Sequence, residues 1–439
     1  MKNVKNILLT SIFCILTSVF CFAADVHWTG AATAVAEVDT FTPANVEIGD
    51  VFTLTITGWD GTTNAVSFTA TATTVANVTA GLTAAWNAST HALCTPITAA
   101  DNTTTLSLTA DTAGDAFSCA STCDGDGAPA DTFTRAATTA SAGPKHWDCT
   151  SNWDTGALPG GAASQNVYIE DFLGEICYGL DQSGIANTLD SLNIEKTFTG
   201  KLGYNGATGE TGTYLQIKAT AVNIGYNYSG ATASGSGRIM LDTGATASTI
   251  TIYELASTAS DTGKPCARLK ANSASTDILI HQGKVGIAYE AGETSTIDDL
   301  TIGYTATSSG QVEVTAGSGL TVDAITKRIG TLTLRSACTS LVNESGSAYL
   351  YGTGLVGTLT INSGTVYANN NPAAPPAITT CSADGGTLDL TGLLTARTIT
   401  TINLGAGGSL KYDPSIITIT NGITSVESSG KFLITKTEF

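Results

Sequence analysis

Carboxylates, cysteines, histidines and a glycine string are the residues of this chain with a capacity for chemistry, and their spacing decides how much of it is available. Asp298-Asp299 is the carboxylate pair embedded in the repeating segments, beside Leu300-Thr301-Ile302. Polysaccharide hydrolases built on stacked β coils use paired acids for general acid and base work. Neighbouring residues on a strand point to opposite faces, so this pair meets one substrate only if the strand bends. Cys123-Asp124-Gly125-Asp126-Gly127 places two carboxylates on a turn, as a calcium loop would. Calcium takes about six to eight oxygens, and the third acid and closing Glu are missing, which favours a solvated turn. Gly352-Thr353-Gly354-Leu355-Val356-Gly357 has the dinucleotide spacing but leads into the strand Leu359-Thr360-Ile361. The helix N-terminus that would hold a pyrophosphate is absent from it. His27, His91, His146 and His281 form no H-E-x-x-H pair, and there is no G-x-S-x-G nucleophile elbow. His27 and His146 are expected to pack beside Trp28 and Trp147, and His281 to sit outward in a turn. Tyr226, Tyr228, Tyr289, Tyr304, Tyr349, Tyr351 and Tyr367 offer flat amphipathic rings for a sugar- or partner-binding strip, with turn packing as the simpler reading. No catalytic, cofactor-binding or metal-ligating residue is assigned, and no cofactor is expected.

The elements that would position these residues fall into three stretches. Lys2 and Lys5 precede the apolar run from Ile7 to Phe22, and Cys21 and Ala23 occupy the −3 and −1 positions of a cut after Ala23. Residues 1–23 therefore read as a secretory signal peptide; the run is shorter than the ~20 apolar residues of a membrane span. No later segment is long enough to cross a bilayer as a helix, so the cleaved chain is not expected to be an integral membrane protein. Cleavage leaves Cys94, Cys119, Cys123, Cys149, Cys177, Cys266, Cys338 and Cys381, an even set that permits disulfides in an exported protein. Cys119 with Cys123, and Cys149 with Cys177, are the close candidates. Their scatter gives no second pair at metal-ligand spacing.

Residues 24–143 form the second stretch. Phe52, Leu54 and Ile56 alternate with Thr, and Val66, Phe68 and Ala70 do the same after the turn Asp60-Gly61-Thr62-Thr63-Asn64, which is a hairpin pattern. Val75, Val78, Leu82 and Trp86 then recur at helical spacing behind Thr73 and Thr74, predicting one helix over Val75–Ala88. Strands resume at 105–109, 116–119 and 132–134, so this is a small α+β module. The order strand, turn, strand, the Thr71-to-Leu82 helix and the string Thr104 to Phe117 resembles a module of phage tail and virion proteins and of bacterial surface proteins. That resemblance spans about 90 residues and implies assembly or display.

From Lys145 the pattern changes again. Trp147-x5-Trp153-x2-Gly156-x2-Pro159, ahead of Asn166-Val167-Tyr168-Ile169, resembles the opening of β-solenoid regions in bacterial secreted and autotransporter-like proteins. The aromatics at 146–160 would cap the open end of a stacked core. His27-Trp28 echoes His146-Trp147, which raises the insertion of the module into the solenoid's opening stretch. Beyond Leu189 apolar dyads recur without a helix: Leu192/Ile194, Val222/Ile224, Ile239/Leu241, Ile250/Ile252, Ile278/Ile280, Val285/Ile287 and Leu300/Ile302 among them. The strings Gly330-Thr-Leu-Thr-Leu334, Gly357-Thr-Leu-Thr-Ile361 and Gly386-Thr-Leu-Asp-Leu390 recur at a period of stacked coils. Residues 144–439 are accordingly expected to be a right-handed parallel β-helix, with a β-sandwich as the alternative; Asn369 to Pro376 would be an extruded corner loop.

The chain of 439 residues carries a net charge of −18 and no basic stripe, which excludes a nucleic-acid partner. Hydrophobic residues make up 42 % in regular alternation, enough to exclude disorder. The expectation is an exported, secreted or cell-surface protein with a non-catalytic structural or adhesive role. Glycans or components of a cell surface or particle are its expected partners. The alternative is a carbohydrate-active lyase or hydrolase on the same scaffold.

Overall fold

Alternating apolar and Thr-rich residues drive the chain after Gln165 into short strands that bury one face each. The computed structural model describes residues 24–59, 61–124, 130–204, 214–226, 237–255, 264–306, 311–351, 354–368, 377–393, 396–425 and 431–434. Residues 1–23, expected to be a signal peptide, together with Asp126 of the acidic turn, Tyr228, Gly352 and the 369–376 segment, lie outside them. Two long sheets, each of 14 strands, dominate the molecule. From Ala219–Tyr226 to Ser409–Tyr412 successive strands alternate between the sheets, and at the two ends a coil can place two short strands in one sheet, as Glu175–Ile176 and Asp181–Gln182 in the second. Gln165–Ile169 lies in the first and Glu175–Ile176 in the second, then Leu189–Glu195 returns to the first, and so on to Ile423–Ser425 and Lys431–Ile434. Every pairing within both sheets is parallel, for example Val222 with Ile250 and Val285 with Val314. That arrangement is a parallel β-helix; a sandwich of antiparallel layers would need tight reversals between neighbours.

Register stacks the dyads in columns. Val167, Leu192, Val222, Ile250, Ile278, Leu300, Ile325, Leu341 and Leu359 follow one another up the first sheet. All are buried in one continuous core. Coil length varies. Asn193 stands beside Asn223 thirty residues on, and Lys327 beside Asn343 sixteen residues on. The three Gly-Thr-Leu strings are consequently not one repeat. Thr331–Leu334 and Thr387–Asp389 are strands of the second sheet, but Gly357-Thr-Leu-Thr-Ile361 belongs to the strand Leu355–Ile361 of the first. Their spacing spans one coil and a fraction of the next, because each coil carries two strands of similar composition.

The second sheet contains a true glycine column instead. Gly330, Gly346 and Gly364 stand at the threshold of consecutive strands at φ +95°, +73° and +74°. Ser347 N–H donates to Gly330 O at 3.0 Å and Thr365 N–H to Gly346 O at 2.9 Å. A Cβ on Gly346 or Gly364 would run into the carbonyl oxygen of the glycine one coil earlier.

The solenoid begins before the α+β module in the chain. Ala24–His27 pairs in parallel with Gln165–Tyr168, and Trp28 bridges Trp153. The chain then departs through two antiparallel sheets, one of four strands ordered 97–101, 106–110, 38–44, 132–139 and one of three ordered 63–69, 51–57, 118–124. Phe52, Leu54 and Ile56 pair with Phe68, Val66 and Asn64. The helix Val75–Asn87 is capped by Thr74, whose side chain accepts from Asn77 N–H, and it buries Val78, Leu82 and Trp86. Among the described residues no helix is long and apolar enough to cross a membrane.

All eight cysteines among the described residues are free thiols, so neither candidate pair is bridged. Cys119 and Cys123 lie on one extended strand, where four residues span roughly 13 Å, well beyond disulfide reach. Burial pushes the Cys119, Cys177, Cys338 and Cys381 thiols up to about 12.

Candidate functional site

The junction between module and solenoid is built from the aromatic N-terminal stretch. Trp28, Trp147 and Trp153 pack edge to face, with centroids 4.9 Å (Trp28–Trp153) and 4.8 Å (Trp147–Trp153) apart, and Trp153 Nε1–H donates to Trp147 O at 3.0 Å. Asn152, fully buried, joins the two units. Its Nδ2 donates to Gly143 O at 2.8 Å and His146 O at 2.7 Å, while its Oδ1 accepts Ala32 N–H at 2.9 Å. The histidines pack on tyrosines and not on the adjacent tryptophans: His27 stacks on Tyr168 at 4.8 Å and His146 lies 4.8 Å from Tyr178. His146 Nε2 lies 3.1 Å from Gly114 O of the module. Hydrogen bonding to His146 holds the Asp148 carboxyl below its usual range.

Beside this joint lies a cleft of ≈ 260 Å³. The module contributes Trp59, Leu93, Pro96, Asp115 and Phe117; the first coils contribute Tyr178 and Tyr204. Trp59 projects from the hairpin turn after Ile56, and its ring sits 5.4 Å from Tyr178 and 5.9 Å from Tyr204, tilted 54° and 55°. Asp115 Oδ1 accepts from Lys145 Nζ at 2.6 Å, an ion pair that spans the joint.

The remaining sequence candidates are distributed over the rod. Asp298 and Asp299 sit between Ile297 and Leu300, both buried, so the strand does bend there and both acids lie outside the core. Burial, with Asp298, Asp277 and Asp323 nearby, raises the Asp299 carboxyl above its usual range. Among the described residues no group of three or more His, Cys, Asp and Glu is placed to hold a metal ion. The tyrosines separate into two stacks. Tyr226, Tyr253, His281, Tyr304 and Arg328 form a ladder along one edge, with ring centroids 5.5, 5.2 and 5.2 Å apart and the Arg328 guanidinium 4.4 Å over Tyr304. Partial burial in that ladder lowers the His281 imidazole. Tyr349 stacks on Tyr367 at 5.0 Å and on Tyr351 at 6.2 Å, outside the second sheet. Tyr289 packs over Gly286.

One charged cluster was not visible from spacing. Glu290 Oε1 accepts from Lys264 Nζ at 2.6 Å and from Arg268 Nη1 at 3.0 Å, and Glu293 Oε2 accepts Glu290 N–H at 3.0 Å. Tyr214 is buried nearby with Lys270 Nζ 4.9 Å over its ring, and burial next to Glu293 pushes its hydroxyl far up. Arg268 itself is fully buried, so this cluster presents little charge to a ligand. Its members come from three coils, which no linear motif records. Trp59 could have been noticed as a lone large aromatic in a Gly-flanked turn. No protein-family model, curated protein or solved structure matches the chain.

Proposed function

We propose that the protein is an exported structural and adhesive solenoid of a cell surface or particle, with glycans or surface components as partners. The unbroken parallel ladder carries this reading: the first sheet runs through thirteen strands in one path. At about 4.8 Å per strand that is a stiff spacer roughly 60 Å long, which holds the module at a distance from whatever the other end meets. The leader pattern of residues 1–23 supports export. Several of the rod's lysines pair with carboxylates on adjacent rungs, as in Lys201–Glu175 at 2.6 Å, Lys284–Glu313 at 3.3 Å and Lys411–Asp389 at 3.4 Å. In the Glu290 cluster both Lys264 and Arg268 bind Glu290, an arrangement that does not favour an anionic sugar.

The test is glycan-array retention of the full chain, with a reducing-sugar assay on each glycan retained. Retention with no new reducing ends is expected. New reducing ends that vanish in Glu290→Gln or Asp299→Asn would replace this reading with a carbohydrate-active enzyme on the same rod.

A further inference from the structure

We propose that the cleft between module and solenoid binds one neutral pyranose ring of a glycan, an inference that rests on the adhesive reading and gives it a site. The chain has five tryptophans, and four are buried, at 6 % (Trp28), 1 % (Trp86), 0 % (Trp147) and 2 % (Trp153) exposure. Trp59 is 37 % exposed and lines the cleft. Tryptophan is enriched at binding surfaces, where its apolar body and polar N–H can both be used. Trp59 belongs to the module, yet its ring rests against Tyr178 and Tyr204 of the solenoid. The ordering of that ring is therefore complete before a ligand arrives, which removes some of the entropic cost of binding.

The rest of the cleft selects the ligand class. Leu93, Pro96 and Phe117 give it apolar walls, and Asp115 is the one carboxylate among its described lining residues. Lys145 binds Asp115 Oδ1, so the pair is close to neutral, and the half-exposed carboxylate keeps acceptor capacity for hydroxyl donors. A pyranose matches this: one face of C–H groups to lie on an indole, and hydroxyls at its edge to donate to a carboxylate. An anionic sugar would meet a chain of net charge −18, and a cationic one would meet Lys145 beside the carboxylate it needs. At ≈ 260 Å³ the cleft falls just short of the roughly 300–1,000 Å³ of drug-sized pockets, which suits one ring and not a chain of them.

The experiment follows tryptophan fluorescence of the full chain during titration with methyl glucoside, methyl galactoside, methyl mannoside and N-acetylglucosamine. Glucuronate, glucosamine and a short Phe-Pro peptide serve as controls. A saturable change with at least one neutral pyranose is expected. Affinity should fall about tenfold or more in Trp59→Ala, followed by sugar NMR because the reporter is gone. The same loss is expected in Ala92→Trp, which plugs the cleft from an exposed lining position without touching the joint. Unchanged melting temperatures establish that both variants fold. Saturation by the peptide or a charged sugar alone, no saturation by any neutral pyranose, or undiminished binding in Ala92→Trp would each overturn the assignment. Array retention that persists in Trp59→Ala under those outcomes sinks the cleft and leaves the adhesive reading standing; wild-type protein retained by no glycan sinks that reading itself.

Discussion

Lys327 occupies a core column in which six consecutive rungs carry isoleucine, from Ile169 through Ile194, Ile224, Ile252 and Ile280 to Ile302. Its side chain is fully buried, and its Nζ donates to Asn343 Oδ1 at 2.8 Å and to the Ser345 carbonyl. Asn343 Nδ2 in turn donates to Ser363 O at 2.7 Å, so the polar insertion is bonded through three coils. Burial lowers the Lys327 ammonium from 10.5 to about 8. Between those values the unfolded chain holds a proton that the folded chain has released, so stability rises as pH goes from about 8 to 10.5. Below about 8 the folded protein bears the whole desolvation penalty, of order 3 kcal/mol. The expected result is a melting temperature that climbs between pH 8 and 10 in the wild type relative to Lys327→Met, with the variant the more stable at pH 7. A parallel pH response in the two proteins would mean that the amide and carbonyl acceptors offset burial in full. Lys327 was illegible as a core residue in the sequence because a lysine at strand period reads as an outward position, and only the register with Ile302 and Asn343 turns it inward.

Strand by strand, much of the architecture could be read from alternation, since a buried dyad needs two like-sided residues and little else. The coil length could not. The strings beginning at Gly330, Gly357 and Gly386 look alike because strands of both sheets are short, Thr-rich and entered through glycine, yet only the first and last share a sheet. What separates true equivalents is the backbone: Gly346 and Gly364 belong to the same column as Gly330, though Ser347-Ala348-Tyr349 and Thr365-Val366-Tyr367 share little with Thr331-Leu332-Thr333. The column predicts a contrast between two glycines of similar φ. Gly364 (φ +74°) has the backbone of Gly346 where a Cβ would go, whereas Gly156 (φ +67°) faces open space. Gly156→Ala should lose only the left-handed strain of about 1–2 kcal/mol. Gly364→Ala must also push neighbouring coils apart and break the Thr365 N–H bond to Gly346 O, and should lose at least about twice as much in urea unfolding. Equal losses would show that the coils can separate there at no penalty, and that the column is incidental.

At the scale of the molecule, a solenoid's stability is a sum over rungs, each contacting only its neighbours, and that makes it tolerant of one kind of deletion and intolerant of another. The echo of His146-Trp147 in His27-Trp28 hinted that the rod starts twice; the pairing of Ala24–His27 with Gln165–Tyr168 gives the physical reason, since the first rung needs a second to lie on before the module interrupts. The junction cleft stayed hidden at this scale because its walls come from residues as distant as Trp59 and Tyr204. Ala383 is the register partner of Leu404, so residues 384–404 make one complete coil. Their removal would bring Gly405 after Ala383 and let Leu410 take the place of Leu388, its own neighbour in the core column. Removing only 384–393 takes out the second-sheet strand Thr387–Asp389 and delivers Arg397–Leu404 to the wrong sheet, with its Ile399, Ile402 and Leu404 out of phase. The full-coil deletion should therefore remain cooperatively folded with a slightly lower melting temperature and a urea m-value reduced by about one rung's share. The shorter deletion, although it discards fewer residues, should expose the segment after Ala383 to protease and lower the β signal by more than the residues lost. If the two deletions melt and digest alike, the coil is not the unit of this fold, and a spacer built from such units loses its physical basis.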